Sequence, residues 1–199
     1  MTGELRSIDS IVRERAALPA VQELEQNSNC QAIDIRQAKQ QLGEFANHFG
    51  YTNLNRVPPL LFAWKANSDL SQQLQQTTIP AARQPGRFSV PMVTMVDYIN
   101  ENVAGHPGVI HGGMTATLAT SLMGLAAALN FSGQDVVVST MKMDYRKPVF
   151  TASFVKVHAW LYGASKGTAS AAVRLYDLQN QLLYEAVSDL KISGEGVGN

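Results

Sequence analysis

The chain has 199 residues, with 16 Lys plus Arg balanced by 16 Asp plus Glu, 45% hydrophobic residues and a single cysteine. Zero net charge excludes a global field that would draw the chain to nucleic acid or to anionic lipid, and Cys30 alone excludes an intrachain disulfide. The length suits one domain with a real core, and one Cys with four scattered His gives no credible zinc set, so no metal site is expected.

The N-terminus has no apolar secretory core, and Glu4, Asp9 and Glu14 among its basic residues argue against a mitochondrial presequence. A soluble cytoplasmic protein is expected. Residues 4–26 read as helix, because Leu5, Ile8, Ile11, Val12, Arg15 and Ala16 follow helical spacing, and Pro19 breaks it into two pieces. Residues 27–35 read as a loop. Ile35–Phe49 reads as a second amphipathic helix with Leu42, Phe45 and Phe49 inward, stopped at Gly50. The span 1–56 is thus an N-terminal helical extension, and residues 57–193 form the main domain.

Leu60–Ala66 reads as a strand, residues 67–86 as a long polar loop, and Arg87–Ile99 as a second strand. Gly105-His-Pro-Gly-Val-Ile-His-Gly-Gly113 then opens a helix that carries no charge as far as Leu129. A helix apolar on all sides must be surrounded, and its N-terminal amides suit an oxyanion or a polarised carbonyl. The run is long enough to raise a membrane span. Its three Gly, three Thr and one Ser, with no basic flank, argue for a core helix instead.

Val136–Tyr145 alternates with period two: Met141, Met143 and Tyr145 face one way, Thr140, Lys142 and Asp144 the other. Ser153–Tyr162, Thr168–Asp177 and Leu182–Ile192 are three more strands, with a turn at Gly163–Gly167 and a hairpin around Asn180. Residues 194–199 form a Gly-rich tail. The expected architecture is α+β. About six antiparallel strands, the last four in meander order, curl around one long helix.

Gly105–Gly113, the helix after it and Met143-Asp-Tyr-Arg-Lys-Pro-Val149 resemble the hotdog-fold acyl-thioesterase superfamily, in its His-Gly-Gly branch. The resemblance covers about residues 57–193. The N-terminal Leu-Pro-x-Val-Gln-x-Leu run is similar to extensions in uncharacterised fungal members. The resemblance implies a homodimer, or a dimer of dimers, with sheets joined edge to edge and sites between subunits. It implies acyl-CoA or carrier-protein thioesters as substrates and no further cofactor. It also implies backbone N–H groups at Gly112 and Gly113 that bind the thioester carbonyl, with His111 orienting the turn or touching the ligand.

The family's usual acid lies seven residues beyond the second Gly of the signature, and Thr120 stands there, followed by Ser121. A Thr hydroxyl is no base near neutral pH, and as a nucleophile it needs one beside it. His111 of the same helix is about 13 Å away along the axis; the resemblance, which implies a site built across the interface, lets His111 of a partner chain approach instead. Catalytic candidates are therefore His111, Thr120 and Ser121. Thr117, Thr120, Ser121 and Gly124 form one small polar stripe, read either as pocket lining or as a surface for close packing. Substrate-binding candidates are His106, Thr117, Thr140, Arg146 and Lys147, the last two as holders of CoA phosphates. Glu101 and Asn102 precede the signature, where a stand-in base is conceivable. His48 and His158 read as structural. Three functions stay open: acyl-thioester hydrolysis or transfer, a non-hydrolytic step on a polyketide-like molecule (dehydration, cyclisation or retro-aldol) in fungal secondary metabolism, and acyl-ligand binding without catalysis.

Overall fold

The computed structural model describes residues 6–34, 57–65, 88 and 90–193. The expected helix Ile35–Phe49, with His48, the loop 67–86 and the tail 194–199 lie outside the described residues.

Helix α1, Ile8–Ala16, is capped by the Ser7 hydroxyl, which accepts from the Ser10 N–H. Asp9 in its first turn and Arg13 and Arg15 in its last complement the helix dipole. Helix α2, Pro19–Gln26, takes Pro19 at its first turn, where the missing N–H costs nothing. The break therefore falls where Pro19 indicates. Of the α1 stripe only Ile11 and Arg15 are buried, while Ile8 is 46% and Val12 36% exposed.

The strands are β1 (Cys30–Ile33), β2 (Leu60–Trp64), β3 (Met92–Ile99), β4 (Ala104–His106), β5 (Val109–Ile110), β6 (Asp135–Tyr145), β7 (Ser153–Ser165), β8 (Thr168–Asp177) and β9 (Leu182–Ser193). Between β5 and β6 runs α3, Gly112–Ala128. Among the described residues, seven strands form one antiparallel sheet in the order β1-β2-β3-β7-β8-β9-β6, and β4-β5 make a small hairpin.

Two expectations are corrected. Cys30–Ile33, read as loop, is an edge strand paired with β2 through Cys30↔Trp64. Its four residues show no alternating burial, so pairing is supplied by the β2 backbone and not by a hydrophobic pattern. The last four strands are not a meander either. β6 pairs with β9, from Asp135↔Ser193 to Tyr145↔Tyr184, and only β7-β8-β9 follow one another. The chain leaves β3, passes through α3 along the concave face, and reaches the far edge before returning to fill the middle with β7.

Alternation along the strands makes two faces. Val93, Met95, Val157, Ala159, Ala171, Val173, Ala186 and Leu190 pack with Leu118, Leu122, Met123 and Leu125 of α3. The opposite face carries Phe62, Trp64, Met92, Trp160 and Tyr162, covered by Val21 and Leu24 of α2. Ile11 of α1 packs with Val57, Tyr98 and Phe154. The N-terminal helices are thus a second layer on the sheet. Between them and the sheet, the buried Arg15 guanidinium donates to the Pro58 carbonyl and feels the charge of buried Asp97. On the same outer face the Trp64 indole donates to Thr94 Oγ1 at 2.8 Å, and Thr94 Oγ1 lies 2.7 Å from His158 Nδ1. Burial pulls His158 down to about 3, and the neighbouring Lys156 ammonium acts in the same direction.

No helix among the described residues is long and apolar enough to cross a membrane.

Candidate functional site

The site is built at the N-terminus of α3. From Leu118 onward this helix is almost wholly buried, but Gly113, Ala116, Thr117 and Thr120 remain at least partly open along one side. The opening turn lies beside the end of β6, at the edge of the sheet.

His111 is the N-cap. Its Nδ1 accepts the Gly113 N–H at 3.0 Å, and its own N–H is held by the Val103 carbonyl at 2.9 Å. An accepting Nδ1 carries no proton, so the neutral ring holds its proton on Nε2. The β4 strand runs tight against this residue. A Cβ at Gly105 would stand 2.8 Å from His111 Cα, which explains a glycine there. At Gly113 a Cβ would lie 3.0 Å from His111 Nδ1, so the capping imidazole also needs a glycine below it.

Capping changes the donor count. Gly112 and Gly113 were the two amides expected to bind a carbonyl, and the Gly113 N–H is already given to His111. The N–H of Gly112, at the first helical position, has no acceptor within the helix.

Sequence reasoning left Tyr145 out of the site. The β6 alternation that turns Met141 and Met143 toward α3 also brings Tyr145 there, and its hydroxyl donates to the Gly112 carbonyl at 2.9 Å. The ring lies against Gly112, with ring atoms 3.5 Å from where a Cβ would be, and packs edge-on to Tyr184 with centroids 5.0 Å apart. The missed signal was the Tyr-Arg-Lys-Pro strand end, which assigned a face to Tyr145 but no contact.

Thr120, where an acid was expected, points its hydroxyl at the Met141 thioether, 3.8 Å away. Thr117 bonds back to the Gly113 carbonyl at 2.9 Å. Ser121 and Gly124, the other half of the stripe, are buried. The stripe therefore divides: its N-terminal half is open and its C-terminal half packs.

His106 is exposed at the end of β4, and Glu101 and Asn102 are exposed in a short 3-10 turn before it. The structure does not bring Thr140 and Arg146 to this mouth. Thr140 lies on the outer face, 3.5 Å from Asp189. Arg146 is paired with Glu185 and lies 3.2 Å from Asp144. Burial pushes the Glu185 carboxyl up, but hydrogen bonds from Arg146 and Arg174 outweigh it and hold the group below its usual range. These residues border an outer-face groove of about 360 Å³ with Trp160 in its lining, on the side of the sheet away from α3. Lys147 is exposed beside a separate groove of about 410 Å³ shared with Phe150 and Leu183. Neither groove includes His111, Gly112 or Thr120. Among the described residues, no group of three or more His, Cys, Asp or Glu could hold a metal ion.

Residues 107–184, from the signature turn to β9, match the thioesterase superfamily. The fold agrees. Zebra fish thioesterase superfamily member 2 superposes with a TM-score of 0.56 at 18% identity, over 81% of this chain and 99% of its own. The smu.793 protein of Streptococcus mutans, solved bound to acetyl CoA, gives 0.50 at 18% identity over 59% and 95%. AziG of S. sahachiroi gives 0.50 at 15% over 58% and 90%. No curated protein matches the sequence. The chain thus has the hotdog fold, a curved antiparallel sheet around a central helix, with helices added at its N-terminus.

Proposed function

We propose that this protein acts on an acyl thioester, by hydrolysis or acyl release, at the mouth of α3, with Thr120 in the place of the catalytic carboxylate. The observation that carries the reading is the capped opening turn. His111 fixes the first turn through Gly113 and leaves the Gly112 amide at the positive end of an uncharged helix. The superfamily match over 107–184 and the acetyl CoA on the S. mutans neighbour support it.

A homodimer completes the site in this reading. Among the described residues, strand β6 ends the sheet, and Val137, Met143 and Tyr145 on it are 56%, 41% and 52% exposed. An eleven-residue open edge flanked by apolar side chains invites pairing with a second copy. The second copy would wall the mouth and set its own Thr120 opposite.

A panel of acyl-CoAs followed by free thiol tests the activity. Slow turnover is expected, because lacking a general base forfeits about 10²–10⁴ in rate. Thr120→Asp should raise turnover at least about tenfold. No gain in a folded Thr120→Asp protein, or robust turnover that Thr120→Val leaves unchanged, contradicts this reading.

One observation favours a second reading. A ring with its proton on Nε2 suits His111 as a hydrogen-bond donor to a substrate carbonyl, and the same turn would stabilise an enolate. That describes dehydration, cyclisation or retro-aldol chemistry on a polyketide-like molecule, visible as product formation without thiol release. Ligand binding with no product would mark a non-catalytic binder.

A further inference from the structure

We propose that the Tyr145 hydroxyl is the second hydrogen-bond donor of the carbonyl site, in the position that the Gly113 amide vacates by capping on His111. This rests on the thioester reading above and specifies which atoms grip the substrate. One amide is a poor oxyanion site, since stabilisation of developing charge rests on several converging donors. The Gly113 N–H is committed to His111 Nδ1 at 3.0 Å, which leaves Gly112. The donor beside Gly112 is the Tyr145 hydroxyl, 2.9 Å from the Gly112 carbonyl.

Four features fit a donor that changes partner. Tyr145 is 52% exposed, so its hydroxyl is open to an incoming molecule. Its other recorded contact is the Met143 thioether at 3.6 Å, a weak acceptor that a carbonyl oxygen outcompetes. The Gly112 carbonyl it now serves lies in the first helical turn and retains its helical partner when the phenol turns away. The ring itself is held in place, edge-on against buried Tyr184, so only the O–H needs to rotate. The phenol keeps its proton throughout and donates a hydrogen bond to the thioester oxygen.

The test is infrared spectroscopy of hexanoyl-CoA labelled with ¹³C at the thioester carbonyl, bound to the wild type, Tyr145→Phe and Tyr184→Phe. Tyr145→Phe preserves the ring and its packing, and thermal denaturation confirms the fold. The expected result is a carbonyl band shifted to lower frequency by the wild type and by Tyr184→Phe, with a smaller shift in Tyr145→Phe. Turnover should separate likewise: kcat in Tyr145→Phe falls about 10²-fold, the scale of one oxyanion donor, while KM changes little. A wild-type shift that persists undiminished in Tyr145→Phe overturns the role of the phenol and leaves the thioester reading intact. A wild-type band at its position in water overturns both.

Discussion

At the scale of single residues, small side chains and their absences make the site. Gly113 is glycine because the His111 imidazole occupies the space of a Cβ. Gly113→Ala should push that ring off its cap, with a stability loss of about 1 kcal/mol measured by denaturant unfolding and a fall in thioester turnover. Stability and turnover both at wild-type level would show that the cap does not order the turn. Tyr184 makes a different prediction. Its hydroxyl is buried and, among the described residues, has no hydrogen-bond partner, and burial followed by the Tyr145 neighbour raises its pKa. An unpartnered buried hydroxyl costs about 1–3 kcal/mol, so Tyr184→Phe should leave the melting temperature unchanged or higher. A clear drop would reveal an acceptor for that hydroxyl. The turn of His111 and its two glycines is readable in the sequence, because a turn before an uncharged helix is a local pattern. The Tyr145 contact is not readable, because it joins positions 33 residues apart and depends on where β6 ends against α3.

At the scale of elements, α3 and β8 are the most legible. An uncharged run has only one place to go, and β8 has the Thr168–Asp177 bounds that the sequence predicts. Strand β1 was hidden because four edge residues carry no burial rhythm. The position of β6 was hidden because pairing order is a long-range choice that periodicity does not encode. That Thr140 and Arg146 lie away from the mouth of α3 was hidden for a related reason. Alternation assigns them a common face, but it does not say that this face turns away from α3. The central helix makes a direct prediction: Leu122, fully buried against the sheet, should cost about 2–5 kcal/mol when changed to Ala. The outer layer predicts a pH dependence. The unfolded His158 imidazole takes a proton near the ordinary value of about 6.5, whereas the folded one, desolvated and beside Lys156, resists until about 3. The unfolded chain therefore binds more protons in that interval. The stabilisation is complete above pH 6.5 and is lost by up to about 1.4 kcal/mol per pH unit as pH falls through it. Urea midpoints from pH 7.5 to 4.5 should decline more steeply for the wild type than for His158→Gln, and equal slopes would contradict the burial argument.

At the scale of the whole molecule, one sheet is shared by two layers with different tasks. Helix α2 covers Trp64, Met92 and Trp160 and α1 packs on Tyr98 and Phe154, while the concave side wraps α3 and leaves only its first turns open. In the dimer proposed above, a second copy pairing at β6 would turn this mouth, a surface among the described residues, into a pocket. Analytical ultracentrifugation should therefore give twice the chain mass, and Met143→Asp on that edge should shift the equilibrium toward monomer and reduce turnover together. A wild-type monomer with full thioesterase activity would contradict the shared site. The central claim is that a thioester carbonyl rests on the Gly112 amide. Its most direct test is an amide NMR titration with a ketone analogue of an acyl-CoA, in which sulfur is replaced by methylene. The Gly112 amide proton should move downfield with saturation, ahead of residues on the outer face. Saturable shifts confined to the neighbourhood of Thr140, Arg146 and Glu185, with Gly112 unmoved, would contradict the account.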